Sequence, residues 1–324
     1  MMQNFNRQKV INAFEGVKSA LAITRLSCRR SAFVMEDVTL IVPQGYCTGL
    51  IGPSGSGKTT LIQSTLGLIN CNSGAIELFG QNIAHLHSSE LCAVKQHVAY
   101  VFAENPFTSI ASLSNLARTY QLSYEKFDMD KMDMLVDKFG LVKLSDENEA
   151  QGLFASSKEI TELSRGQMML FQIALALSSG ADLLIMDEPT AGLDPLLRLE
   201  VLDLLRSWMI EDENRTILMT SHITSDFDGF ADFVYSIEDG HNLGFISSEE
   251  LDDKGIAKLT YTQLDEVLAS DVYKPGELVV LRHELSCSLL VPSASVFKEM
   301  WPGAVIERAA VGDSLVFDIK GEVI

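Results

Sequence analysis

The stretch Gly52-Pro53-Ser54-Gly55-Ser56-Gly57-Lys58-Thr59-Thr60 constrains this chain more than any other. It fits G-x-x-x-x-G-K-[ST], a pattern whose glycines let the backbone fold tightly and turn successive N–H groups toward phosphate oxygens. Such a loop needs a strand before it and a helix after it. Cys47-Thr-Gly-Leu-Ile51 is an apolar run that reads as a buried strand, and Leu61-Ile-Gln-Ser-Thr-Leu66 reads as a helix. The N-terminus of that helix adds partial positive charge to the loop. In this setting Lys58 reaches the β- and γ-phosphates and the Thr59 hydroxyl ligates Mg2+. A glycine-rich turn with a chance lysine is the plain alternative, and the flanking strand and helix argue against it.

A second element fits the first. Asp182-Leu-Leu-Ile-Met186 reads as a buried strand that ends in Asp187-Glu188. At the carboxyl edge of a parallel sheet, two carboxylates would stand beside the phosphate loop. Asp187 is the candidate for the Mg2+ shell, and Glu188 for accepting a proton from an attacking water.

Bulk properties narrow the partners. The chain has 324 residues, enough for two domains, and its 47% hydrophobic content supports a packed core. Its formal net charge of -19 repels nucleic-acid backbones and anionic membrane surfaces, so no nucleic-acid partner is expected. Arg25 and Arg29-Arg30 are short basic runs that read as a solvated edge. Cys28, Cys47, Cys71, Cys92 and Cys287 are odd in number and contain no C-x-x-C pair. This argues against a disulfide framework and a cysteine zinc site, and it fits a reducing cytosol. His85, His87 and His97 near Cys92 read as loop and surface histidines rather than a metal site. No apolar stretch approaches a membrane span, so any work at a membrane needs another chain to cross it. Lys9, Glu15 and Lys18 interrupt the apolar positions near the start, which does not fit a secretory signal.

Three regions are expected: an N-terminal extension over 1–20, a nucleotide-binding domain over 21–244 and an accessory α/β domain over 245–324. Val10, Phe14, Val17 and Leu21 fall on one face of a helix predicted over 3–20. Ala22-Ile23 and Val38–Val42 read as strands, with turns at Pro43–Gly45 and Asn72–Gly74 and a strand at Ala75–Phe79. Helical spacing runs from Thr108 to about Leu144 and again over 164–180. Alternation of strands and helices predicts a parallel sheet covered by helices. Beyond 245, Gly276–Leu281, Leu289–Val291 and Leu315–Phe317 read as strands, with a short helix around Val296, Phe297 and Met300.

Three more pieces complete the pattern. Leu163-Ser164-Arg165-Gly166-Gln167 precedes Asp187-Glu188, Ala191-Gly192-Leu193-Asp194 follows it, and Ser221-His222 comes after the apolar run Ile217–Thr220. Together the motifs resemble the ATP-binding subunit of ABC transporters, over roughly residues 21–240. The resemblance implies a P-loop ABC ATPase core with an antiparallel β subdomain and a helical subdomain. It implies ATP and Mg2+ as ligands, and two subunits, identical or not, that sandwich two ATP molecules head to tail. Ser164, Gly166 and Gln167 would then belong to the segment facing the γ-phosphate bound by the opposite subunit. Asp194 would sit at the interface between subunits, and His222 would bridge the γ-phosphate and Glu188. It also implies a multi-span membrane permease on a separate chain and a peripheral place at the inner, cytoplasmic face of the cell membrane. Leu122–Phe127, Met168-Met169, Ser221–Asp226 and the tail Phe317–Glu322 look like the bacterial branch of ABC-2 type exporters, similar to acetoin-utilisation and bacitracin/lantibiotic-resistance ATPases, which implies export.

Three positions depart from the family's pattern. Ala103, followed by Glu104, stands where the family places a glutamine that touches Mg2+ and water. Alanine cannot ligate a metal. Arg29 or Arg30, with Phe33 nearby, stands where an aromatic residue usually stacks on adenine, and a guanidinium can stack there too. Arg165 replaces the usual middle glycine. Two other readings stay open: a non-transport ABC ATPase of the iron–sulfur assembly type, and a weakly hydrolysing regulatory subunit in a heterodimer.

Overall fold

The computed structural model describes residues 7–30, 33–107, 111–142, 153, 157–270 and 272–324. Helix α1 (Arg7–Ala13) leads into two long strands, β1 (Ser19–Arg30) and β2 (Phe33–Pro43). Strand β3 (Cys47–Ile51) delivers the phosphate loop and α2 (Lys58–Thr65) leaves it. Then come β4 (Cys71–Leu78), β5 (Gln81–Asn82), α3 (Ser88–Lys95) and β6 (Val98–Val101). Two helices, α4 (Leu113–Ser123) and α5 (Met129–Lys138), form the helical part, followed by α6 (Arg165–Ser178) and β7 (Leu183–Asp187). The remaining elements of this unit are α7 (Pro195–Ile210), β8 (Thr216–Ser221), β9 (Phe233–Glu238) and β10 (His241–Ser247).

The central sheet has the order β10-β9-β3-β8-β7-β6, parallel except for the edge strand β10. Every residue of β3, β7 and β8 is buried, as expected for strands covered on both faces. Alternation divides them: Leu184, Met186, Ile217 and Met219 join the core under α5, α6 and α7. Leu183, Ile185 and Leu218 face the opposite core, with α2 and the antiparallel sheet β2-β1-β4-β5. The two layers hold the sheet's carboxyl edge rigid, and that edge carries the site.

After α8 (Ser248–Asp253) the chain forms a unit of its own: β11 (Gly255–Leu259), α9 (Tyr261–Leu268), β12 (Val279–Arg282), β13 (Cys287–Val291), α10 (Ala294–Met300) and β14 (Val305–Arg308). Its strands are antiparallel in the order β14-β11-β13-β12, a βαββαβ ferredoxin-like arrangement. Phe297, Leu264, Val267 and Leu289 fill one face. Helix α11 (Val311–Lys320) covers the other, where Phe317 meets Ile256 and Leu290, and β15 (Glu322–Val323) adds to β12.

Several expectations are corrected. The first helix ends at Ala13, because Gly16 turns the chain at φ 78°; Leu21 is already in β1, and 3–6 lie outside the described residues. Asn72–Gly74 is not a turn but part of β4, where Ser73 pairs with Ser27 across a register shift. Helical spacing over 108–144 resolves into two helices, with 108–110 and 143–144 outside the described residues. Leu315–Phe317 lies inside α11, since so short an apolar run cannot tell a strand from a helix. Strand β10 continues the central sheet through Ser247, past the boundary expected at 244, and the third sheet starts at Gly255. Cys28 and Cys71 form a disulfide, correcting the expectation against a disulfide framework: β1 and β4 pair these two residues directly. Cys47 is free and buried, and burial pushes its thiol well up, which leaves it protonated core filler. Among the described residues no helix is long and apolar enough to cross a membrane.

Candidate nucleotide site

The phosphate loop is held by contacts that only glycine allows. Gly57 has φ 110°, and a Cβ on it would come within 2.6 Å of the Phe33 ring. A Cβ on Gly52 would meet the Ile237 carbonyl at 2.1 Å. Lys58 starts α2 and is 6% exposed. Its Nζ donates to the carbonyls of Gly52 at 2.7 Å and Pro53 at 3.2 Å, and stands 3.6 Å from Glu188 Oε1. A buried ammonium needs such oxygens. Among the described residues the buried Ser56 hydroxyl has no hydrogen-bond partner.

Register on the central sheet sets the acidic pair. Asp187 ends β7 opposite Thr220 of β8. Asp187 accepts from Thr59 Oγ1 and from Thr220 Oγ1, both at 2.7 Å. Thr220 Oγ1 in turn accepts from the Glu188 N–H at 3.0 Å. Glu188 has φ 54°, a left-handed conformation that costs a non-glycine residue about 1–3 kcal/mol. That conformation turns the carboxylate out of the strand line. Its Oε2 pairs with His222 Nδ1 and its Oε1 faces Lys58. One connected set thus joins Lys58, Thr59, Asp187, Glu188 and His222.

Another expected group lies apart from that set. Ser164 caps α6: its Oγ accepts from the Gln167 N–H at 3.2 Å, and Gln167 Oε1 accepts from the Ser164 N–H at 3.1 Å. Asp194 caps α7 by accepting from the N–H groups of Leu196 and Leu197, both at 3.1 Å. A Cβ on Gly166 would lie 3.4 Å from Leu193, so the start of α6 abuts the loop before α7. Ser164, Arg165 and Asp194 are exposed. Among the described residues no hydrogen bond joins Ser164 or Asp194 to the phosphate loop.

Sequence reasoning missed Thr220, Asp226 and Gln172. Asp226 is fully buried and accepts from Thr190 Oγ1 at 2.7 Å and Ser221 Oγ at 2.6 Å, with Arg198 as its ion-pair partner. It ties the residue two after Glu188 to the residue before His222. Gln172 brackets Phe102 through both amide atoms, at 3.0 and 3.2 Å, and so fixes where Ala103 and Glu104 leave β6. Glu104 is exposed and no hydrogen bond among the described residues joins it to Asp187 or Thr59. Arg30 is committed to Gln63 at 2.8 Å, while Phe33 lies against the loop. Among the described residues no cluster of three His, Cys, Asp or Glu side chains forms a metal site, and His97 pairs with Asp182 at 2.6 Å. Mg2+ does not need such a cluster: one carboxylate, one hydroxyl and nucleotide phosphates suit it, and Asp187 and Thr59, hydrogen-bonded at 2.7 Å, could supply the first two.

Residues 35–191 match the family model described as ABC transporter. The chain is 31% identical over 268 residues to the energy-coupling factor transporter ATP-binding protein EcfA2 of Lactococcus lactis subsp. lactis, covering 77% of this chain and 87% of that protein. The chain belongs to the ABC transporter ATP-binding family. A second ABC relative, a peptide import ATP-binding protein of Brucella ovis, is 27% identical, with 84% of each chain covered. The ABC fold is also that of a dimeric ATP-binding cassette solved in a post-hydrolysis state with ADP and Pi. That structure superposes with TM-score 0.57 at 18% identity, over 70% of this chain and 98% of its own.

Proposed function

We propose that this chain is the ATP-binding subunit of a transporter, driving a separate multi-span permease at the inner face of the cell membrane. The observation that carries this reading is the connected set of Lys58, Thr59, Asp187, Glu188 and His222 at one sheet edge. Backbone N–H groups over Gly52–Thr60 cradle the phosphates, and Lys58 swings from its carbonyl partners to the β- and γ-oxygens. Mg2+, held by Thr59 and Asp187, would neutralise charge on those oxygens. Glu188 takes a proton from the attacking water, and His222 orients Glu188 and contacts the γ-phosphate. Ser164, Gly166 and Gln167, at the exposed N-terminus of α6, meet the γ-phosphate of a second ATPase subunit, and Asp194 lies in that interface. Residues 1–20 serve as an extension, the chain from 21 through the end of β10 at Ser247 as the nucleotide-binding domain, and the unit that starts at Gly255 as an accessory domain.

Export is the direction to which the finer motif resemblance leads, while the Brucella relative's name speaks of import. Purifying the tagged chain from its own cells in mild detergent tests the transporter reading. A stoichiometric multi-span partner supports it and gives the lead to substrate and direction; recovery with soluble partners alone contradicts it. Ala103 favours one second reading, a weakly hydrolysing subunit paired with a better-equipped homologue. Turnover by the purified chain decides: an ATPase rate near 1 s⁻¹ or above, of the order usual for enzymes, argues against that reading.

A further inference from the structure

Helix α11 belongs to the C-terminal unit but begins on the nucleotide unit. Its first residue, Val311, is 2% exposed and sits in the core with Phe227 and Phe230. The Val311 N–H donates to Asp228 Oδ1 at 3.1 Å. Gly312 lies so close to Thr224 that a Cβ there would meet Thr224 Oγ1 at 2.7 Å and Thr224 Cβ at 3.1 Å. Both contacts fall on the turn 221–228, which carries His222. Beside them a cavity of about 580 Å³ opens between the two units, lined by Asp228 and Phe230 on one side and Arg308 and Ala310 on the other.

The turn that receives this contact is stiff. Ser221 Oγ donates to Asp226 Oδ2 at 2.6 Å and accepts from the Ile223 N–H at 3.0 Å. The Asp226 and Phe227 N–H groups return to the carbonyls of Ile223 at 3.1 Å and Thr224 at 3.0 Å. Thr190 and Arg198 pin Asp226 from the other side. Motion imposed on Thr224 is therefore carried to His222, two residues away, rather than absorbed in a loose loop.

We infer that the C-terminal unit positions His222. Gly312 and the Val311 N–H, set on Thr224 and Asp228, hold the turn so that the imidazole stays on Glu188. This rests on the reading of Glu188 and His222 as the hydrolytic pair. Rates are steep in such geometry, because a misplacement of about 1 Å at a reacting group costs on the order of 100-fold. Gly312, Val311, Thr224 and Asp228 are thus positioning residues, which act through the turn that carries His222.

The test uses full-length chains and reads steady-state MgATP hydrolysis and ATP affinity separately. Gly312→Ala should lower kcat about tenfold while KM and the ATP Kd stay within about twofold. Adding Thr224→Ala removes the atoms that the new methyl meets and should restore kcat to that of the Thr224→Ala single variant. Asp228→Ala should also lower kcat, whereas Asp228→Asn keeps the Oδ1 acceptor and should not. Thermal melts identify any variant that fails to fold, and the Asp228 pair stands independently of the Gly312 pair. Unchanged kcat in Gly312→Ala and Asp228→Ala overturns the positioning role alone, provided the wild type turns over. Parallel losses of kcat and ATP affinity also overturn it, because they report general damage. A wild-type chain that binds ATP but never hydrolyses it overturns the hydrolytic reading and this inference with it.

Discussion

The carboxyl edge of the central sheet and the ferredoxin-like unit are built from the same kinds of strand and helix, yet they treat polar groups in opposite ways. At the sheet edge Lys58, Asp187, Thr190, Thr220, Ser221 and Asp226 are all buried. Beyond Gly255, Ser314 is the only buried polar side chain among the described residues. Glu188 holds a left-handed backbone at the edge, while no non-glycine residue beyond Asp239 does so among those described. Charges in the C-terminal unit lie outside: Lys258 meets Glu307 at 2.9 Å and Arg282 meets Glu322 at 3.0 Å, all exposed. Burying charge and strain costs stability, so a chain retains them where they do chemistry. Among the described residues beyond Gly255 there is no buried charge and no non-glycine residue in the left-handed region, which suits a body that holds or reports position rather than one that reacts.

That contrast breaks most visibly at Glu188. Glu188→Gln keeps the shape and removes the base, so turnover should fall about 10³-fold while ATP binding persists. In the C-terminal unit the large effect is on stability instead. Phe297 is fully buried against Trp301 with ring centroids 4.8 Å apart. Phe297→Ala should lower the unfolding free energy of that unit by about 3 kcal/mol in urea titration, with ATP affinity unchanged. A loss of ATP affinity in that variant would dissolve the division between the regions.

A smaller effect involves Asp232, at the root of β9. Burial raises its carboxyl pKa, partly offset by the Cys47 N–H that it accepts at 2.8 Å. With the folded pKa raised, its contribution is fully present below the ordinary carboxylate pKa and is lost as pH rises through the folded value. Asp232→Asn keeps an acceptor and removes that loss. Its melting temperature relative to wild type should therefore be higher at pH 7.5 than at pH 4; the reverse order would contradict the burial argument. Least of all should Lys258→Ala matter, shifting stability by no more than about 0.5 kcal/mol, because both partners of that ion pair are solvated.

Much of the site was legible because its signals are local. The phosphate loop, the strand before it, the helix after it and the Asp187-Glu188 strand end are each written in a few adjacent residues. What stayed hidden depends on register between distant segments. Asp226 meets Thr190 across 36 residues, and Cys28 meets Cys71 across 43. Neither pairing has any mark in the neighbouring sequence. Gly74 illustrates the same limit: it looked like a turn glycine, but its φ of 92° serves a close approach to the Arg25 carbonyl within β4, where a Cβ would meet that oxygen at 2.5 Å. Leu315–Phe317 was misread because three apolar residues fit a strand, while α11 is specified by its packing on both units.

Under the proposed function, ATP chemistry resides in the set around Glu188 and is completed by a second subunit. The most direct test is light scattering of the purified Glu188→Gln chain with MgATP, run beside wild-type turnover. The account predicts that wild type hydrolyses ATP, and that the variant stops doing so and gains an ATP-dependent dimer, alone or with its partner subunit. A variant that turns over ATP at the wild-type rate would contradict it.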